Sequence, residues 1–90
     1  MLDPVYSSQF KRDFKLMQKR NEDMDKIRDI MDMLENEVPL KPKHNEHPLQ
    51  GNYKGCKECH IEPDWLLIYD IDKSENEIYF VRTGTHSDLF

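Results

Sequence analysis

Glycine is scarce in this 90-residue chain, with three copies, and its five prolines match ordinary globular usage. That excludes a collagen-like or low-complexity protein. Long apolar runs are also missing. The longest, Trp65-Leu66-Leu67-Ile68-Tyr69, has five residues, against the roughly 20 that a membrane-spanning helix needs. Met1-Leu2-Asp3-Pro4 supplies neither a basic nor an apolar stretch, so no secretory signal is expected and the location reads as cytoplasmic. Cys56 and Cys59 are the only cysteines, too few for a disulfide framework, and in that compartment they are expected to be reduced thiols. At this length folding buries roughly 65% of the chain's surface, enough for one modest core. A single domain over residues 1–90 is expected.

The net charge is −5, from 13 basic and 18 acidic residues. An acidic total counts against nucleic-acid binding by bulk electrostatics. The distribution reopens the question. Residues 1–20 hold five basic groups against two acidic, and residues 38–60 hold four against two. Lys11, Arg12, Lys15, Lys19, Arg20, Lys41, Lys43, Lys54 and Lys57 fall in these positive segments and can share one face. Residues 21–37 carry seven acids against two bases, which reads as a solvated helix face.

Val5-Tyr6 reads as a short strand, with Ser7 or Ser8 as N-cap of the helix that follows. Phe10, Phe14 and Met17 recur at i, i+4 and i+7, the stripe of an amphipathic helix ending near Arg20-Asn21. Met24, Ile27, Met31, Leu34 and Val38 form a second stripe, with Ile30 widening it. Its acidic start at Asn21-Glu22-Asp23 suits the positive end of the helix dipole. Pro39 and Pro42 stop this helix and open a loop reaching about Gly51. Tyr53 to Ile61 reads as a strand, Trp65 to Ile71 as the central strand, and Ile78 to Arg82 as the last strand after a hairpin loop. Thr83 to Phe90 is left as a tail. The order β-α-α-β-β-β predicts an α+β fold, an N-terminal helical hairpin packed on one face of a small antiparallel sheet.

Cys56-Lys57-Glu58-Cys59-His60 matches the C-x-x-C-H haem-attachment pattern. A place inside a strand and the lack of a secretion signal weigh against it. A zinc site of Cys56, Cys59, His44 and His47 has the right donor types. A strand, however, holds the two thiols out of register, so neither metal nor cofactor is expected. The histidines are more suggestive. His60 ends one strand and Asp64 opens the next across a tight turn, while Arg82 and His86 close the last strand. Two imidazoles, a carboxylate and a guanidinium at one sheet rim are what metal-free phosphodiester cleavage requires. A base takes the proton of a 2′-hydroxyl, an acid protonates the leaving 5′-oxygen, and a cation stabilises the charged phosphorane. Histidine suits both proton transfers because its ordinary pKa is about 6.5. Four histidines in a chain of this size are also often plain surface residues.

Three blocks carry a family resemblance: His47-Pro48-Leu49-Gln50-Gly51 followed by Lys54-Gly55, then His60-Ile61-Glu62-Pro63-Asp64-Trp65-Leu66-Leu67-Ile68-Tyr69, then Arg82-Thr83-Gly84-Thr85-His86-Ser87-Asp88-Leu89-Phe90. At these separations the chain resembles, from end to end, the YafQ toxins of the RelE/ParE superfamily in bacterial type II toxin–antitoxin systems. The resemblance implies a RelE-like fold and an mRNA endonuclease that cleaves in the ribosomal A site. It further implies neutralisation by a DinJ-like antitoxin, with operator DNA bound only through the antitoxin complex, and no membrane partner. The family's loop histidine falls on His47, its strand-end groups on His60 and Asp64, its phosphate-facing arginine on Arg82 and its principal catalytic histidine on His86. Its terminal aromatic falls on Phe90, where a base can stack. Trp65 also matches, as substrate contact or as packing. His44 lies outside the matched blocks and reads as a loop residue. In mechanism, His86 is the expected acid, Asp64 or His60 the base, Arg82 the phosphate clamp and His47 an orienting group. Two alternatives stand beside this reading. One is a ParE-like inhibitor of DNA gyrase without catalysis, and the other is an inactive copy that serves only as antitoxin-binding co-repressor. The acidic net charge departs from the basic character usual for ribosome-dependent toxins.

Overall fold

Ser7 turns the chain from strand into helix. Its backbone is extended, and its hydroxyl both accepts from the Phe10 amide at 2.9 Å and donates to the Val81 carbonyl at 2.8 Å. A computed structural model describes all residues 1–90. Its elements are β1 (Asp3–Tyr6), α1 (Ser8–Lys19), α2 (Met24–Glu35), β2 (His47–Pro48), β3 (Lys57–Glu62), β4 (Trp65–Asp72), β5 (Glu77–Gly84) and α3 (His86–Leu89), with 3-10 turns at Pro42–His44 and Gly51–Tyr53. The strands form one sheet in the order β1-β5-β4-β3-β2, so the most apolar segment, β4, is central as expected. Pairing is antiparallel throughout except between β1 and β5, which run parallel.

Phe10 and Met17 from α1 and Ile27, Ile30, Met31 and Leu34 from α2 bury their stripes against Cys59, Ile61, Trp65, Leu67, Tyr69, Ile78 and Phe80. This is the expected helical hairpin on one sheet face. Full burial of each large apolar side chain here contributes about 1.5–3 kcal/mol. Asp23 caps α2 by accepting from the Asp25 amide.

The α+β expectation holds, with four differences in detail. The strand expected from Tyr53 begins only at Lys57, because Tyr53 closes a 3-10 turn and Gly55, at φ +96°, breaks an extended ladder. The helix expected to reach Val38 stops at Glu35, where Asn36 caps it and Glu37 turns left-handed at φ +58°. His47 and Pro48, assigned to a loop, add an edge strand to β3. Residues read as a tail instead close into α3, which starts with a capping box: Thr85 Oγ1 accepts from the Asp88 amide while Asp88 Oδ2 accepts from the Thr85 amide.

Candidate active site

β3 alternates, and its alternation builds the site. Cys59 and Ile61 join the helix-side core, so Glu58 and His60 project from the opposite face. That face carries a smaller apolar cluster of Leu66, Ile68 and Leu89, flanked by Leu49, Tyr53, Cys56 and Val81. Register then aligns chemistry across four strands. His47 pairs with Glu58, Glu58 with Ile68, and Ile68 with Arg82. One cross-strand row thus carries an imidazole, a carboxylate and a guanidinium, with His60 two residues beyond Glu58.

Asp64, in the turn between β3 and β4, reaches the start of α3. Its Oδ1 accepts from the His86 backbone amide at 2.9 Å and lies 2.6 Å from His86 Nδ1. A carboxylate only accepts, so Nδ1 carries the proton and Nε2 is left for chemistry. These contacts, the backbone one foremost, hold the Asp64 carboxyl below its ordinary range. The helix is pinned from a second side. Arg20 clamps Asp88 with both guanidinium nitrogens, at 2.7 and 3.1 Å, and together with the capping contacts pushes its carboxyl far down. Gly84 permits this closure, since a Cβ there meets the Asp88 side chain at 2.9 Å.

The three site imidazoles stand in a row. The ring centroid of His60 is 5.9 Å from that of His86 and 6.3 Å from that of His47. Between His47 and His60 lies Glu58, whose Oε2 is 2.8 Å from His47 Nε2 and 3.7 Å from His60 Nε2. His47 Nδ1 faces the Pro48 carbonyl at 3.2 Å. His47, Glu58 and His60 are the group that can hold a metal ion, each offering one donor atom within 4.8 Å of the others.

Arg82 is steadied by a buried partner. Its Nε and Nη2 donate to the two oxygens of Asp13 at 2.8 and 3.1 Å, and this pairing keeps the guanidinium firmly charged. Asp13 also accepts from the Thr83 amide. The remaining guanidinium nitrogen, Nη1, lies 3.4 Å from the Tyr53 hydroxyl. Tyr53 donates to the Leu89 carbonyl and stands edge-on to Phe90 at 5.5 Å. Phe90 remains 64% exposed, an open π-face against Tyr53.

The structure therefore brings together His47, His60, Asp64, Arg82, His86 and Phe90. Trp65 is different. It is 1% exposed within the helix-side core and donates Nε1–H to Thr83 Oγ1 at 3.0 Å. Of its two readings, packing is the one its position satisfies, and any part it has in substrate binding is support from beneath. His44, read as a plain loop residue, is 8% exposed, with Nδ1 2.9 Å from the His60 carbonyl. It buttresses the strand that carries His60. The four-residue zinc site is excluded, because Cys59 points into the helix-side core while Cys56 belongs to the opposite face. Burial pushes the Cys59 thiol up to about 12. Sequence reasoning missed Glu58, Asp13 and Tyr53. Only Glu58 had a local signal, its i, i+2 alternation with His60 on one strand face.

Comparison with known proteins identifies the family. The family described as the bacterial YafQ toxin of type II toxin–antitoxin systems matches residues 2–90. The mRNA interferase toxin YafQ of Escherichia coli strain K12 is 46% identical over 89 residues, which cover 98% of this chain and 95% of that protein. Among solved structures, the E. coli DinJ-YafQ complex aligns with a TM-score of 0.89 and 45% identity, covering 100% of this chain and 99% of that one. A metal-bound toxin from Helicobacter pylori aligns at 0.93 with 42% identity and 100% coverage of both chains. The chain is a member of the YafQ family of type II toxin–antitoxin toxins.

Proposed function

We propose that this chain is a ribosome-dependent mRNA endonuclease, the toxin of its module, which stops translation by cutting mRNA in the ribosomal A site. The observation that carries the reading is the Asp64–His86 pair standing beside the His60 imidazole, with an arginine on the same sheet face. His60 accepts the proton of the 2′-hydroxyl, and the 2′-oxygen attacks phosphorus. The bond to the 5′-oxygen breaks, and His86, acting as the imidazolium with Nδ1–H held by Asp64, gives that oxygen its Nε2 proton and is left neutral. The products are a 2′,3′-cyclic phosphate and a 5′-hydroxyl. Arg82, fixed by Asp13, meets the charge that builds on the phosphoryl oxygens.

Of the two bases considered from sequence, His60 is preferred here. Asp64 already accepts two hydrogen bonds from His86, and its lowered pKa makes it a poor proton acceptor. Its task is to fix the tautomer and direction of the His86 ring. His47 orients substrate from the edge strand, and Phe90 stacks on an exposed base. Lys41 and Lys43 line a groove that runs to His60, together with Lys26 and the carboxylates of Asp29, Asp32 and Glu62. The two proton transfers and the charge stabilisation are all supplied by side chains, so cleavage proceeds without a metal. The E. coli complex supports a DinJ-like antitoxin as partner, with operator DNA contacted through that complex. Work on translating ribosomes places the active protein in the cytoplasm.

The test is induction in a bacterial host with mapping of mRNA 5′ ends, beside His86→Ala. In-frame codon cleavage that disappears in the variant supports the reading. Growth arrest that survives the substitution with mRNA intact overturns it in favour of a gyrase-type inhibitor. No arrest with either chain means an inactive copy or a mismatched host ribosome, which cleavage of mRNA on ribosomes of the native host distinguishes.

A further inference from the structure

Tyr53 comes from the loop between β2 and β3, where it closes the 3-10 turn Gly51–Tyr53. Backbone bonds hold that loop shut: Leu49 N–H donates to the Cys56 carbonyl and Cys56 N–H to the Tyr53 carbonyl, both at 2.9 Å. The half-buried ring packs on the cluster of Leu66, Ile68 and Leu89. A phenol hydroxyl has one proton to give and lone pairs to accept with. The proton goes to the Leu89 carbonyl at 3.2 Å, so the oxygen meets Arg82 Nη1 at 3.4 Å as an acceptor. Catalytic contacts of this length in a free site commonly tighten when substrate arrives. Donor arithmetic then decides what Arg82 can do. A guanidinium carries five N–H groups in a rigid plane. Asp13 takes one from Nε and one from Nη2, and Tyr53 takes one from Nη1. One N–H is left on Nη1 and one on Nη2, a paired fork that matches two phosphoryl oxygens. Asp13 fixes the Nε side of that fork. Tyr53 fixes the other side, and through Leu89 it ties the arginine to α3, which begins at His86.

We infer that Tyr53 is a positioning residue for cleavage: its hydroxyl, bridging Arg82 and the end of α3, aims the free fork of the guanidinium at the scissile phosphate in register with the His86 acid. The inference rests on the cleavage reading given above. Tyr53 itself neither gives nor takes a reacting proton, because its own is committed to Leu89. Its ring stands edge-on to Phe90. Tyr53→Phe therefore removes the hydroxyl alone and leaves the support of the stacking surface in place.

The test is single-turnover cleavage of ribosome-bound mRNA by wild type, Tyr53→Phe, Arg82→Lys and the double variant. Affinity is measured separately on ribosomes holding mRNA with a 2′-deoxy nucleotide at the cut site, which lacks the attacking hydroxyl. At saturation Tyr53→Phe should cut roughly tenfold more slowly than wild type. Its affinity for the deoxy complex should stay within about threefold of wild type, since the hydroxyl acts on the rate and not on uniform binding. Arg82→Lys keeps a charge for Asp13 but leaves no planar fork to aim. In that background the loss of the hydroxyl should cost less than about twofold, because a residue that acts through another adds nothing once its partner is gone. Three results overturn the role: Tyr53→Phe cutting at the wild-type rate, a loss that falls on affinity and not on rate, or the full loss persisting in the Arg82→Lys background. Wild type that cuts nothing overturns the nuclease reading itself and the role with it. Wild type that cuts beside an equally fast Tyr53→Phe overturns the tyrosine's part alone.

Discussion

One oxygen of Asp64 accepts both the backbone and the ring N–H of His86, at 2.9 and 2.6 Å. The turn between β3 and β4 therefore sets the position of α3 and the tautomer of its histidine together. Asp64→Asn keeps the size and an accepting oxygen but removes the negative charge, so the imidazolium that His86 needs as acid loses its counter-charge. With general acid catalysis worth 10²–10⁴ in rate, His86→Ala should remove roughly that factor. Asp64→Asn should lose roughly tenfold to 10²-fold, with little change in KM. Single-turnover cleavage of ribosome-bound mRNA checks this. Asp64→Asn as damaging as His86→Ala would make Asp64 a direct proton acceptor.

Phe90 makes a cleaner separation between stability and function. It is 64% exposed and touches Tyr53 only edge-on. Phe90→Ala should shift folding stability by less than about 0.5 kcal/mol. A stacked base contributes about 1–3 kcal/mol, so the efficiency of mRNA cleavage should fall roughly tenfold. Phe90→Trp should restore it and Phe90→Leu should not. Equal rescue by Leu would show that apolar bulk, and not a π-face, is what the position supplies.

Asp13 and Arg82 are 69 residues apart in sequence and joined by two hydrogen bonds. Asp13→Ala strands the half-buried guanidinium and the Thr83 amide together. Arg82 is partly exposed and can rehydrate, so the loss is set near the low end for broken charged pairs, about 2 kcal/mol. For a domain of this size that lowers Tm by roughly 10 °C. Arg82→Lys keeps the charge but cannot hold Asp13 with a planar fork. It should lose roughly tenfold in cleavage with a smaller loss of stability. A thermal melt and a cleavage assay on both variants distinguish the clamp from the scaffold.

These residues also mark what the sequence could disclose. Apolar periodicity revealed both helices through Phe10, Phe14, Met17, Ile27, Met31 and Leu34, since one-sided burial leaves a 3.6-residue repeat. The run Trp65 to Ile71 identified the central strand because both its faces are covered. Strand-end reasoning placed His60, Asp64, Arg82 and His86 at one rim. Asp13 gave no sign, since a carboxylate on an amphipathic helix looks solvated until a distant arginine is brought to it. Glu58 was hidden for the converse reason. Alternation with buried Cys59 resembles a solvated strand face, and only the arrival of the His47 strand buries it. The short α3 was hidden because its caps, Thr85 with Asp88 and Asp88 with Arg20, are partly non-local.

Cys59 gives a prediction whose sign follows from burial alone. The folded protein pushes its thiol up to about 12, chiefly by desolvation, with Glu46 and Glu58 adding to it. In the unfolded chain the thiol ionises near its ordinary value of about 8.5. Between these values the unfolded state has released a proton that the folded state keeps, so stability falls as pH rises through that window. One such group contributes about 1.4 kcal/mol per pH unit. Other groups titrate in the same range, including Cys56, Tyr6 and Tyr79, all raised in the folded protein. The informative quantity is therefore the difference between wild type and Cys59→Ala. Urea unfolding under reducing conditions at pH 7.0 should show Cys59→Ala less stable, from its lost packing. By about pH 10 the gap should narrow or reverse, because the variant has no thiolate to gain on unfolding. A gap that stays constant across the range would show that Cys59 ionises without leaving its place between the helices and the sheet.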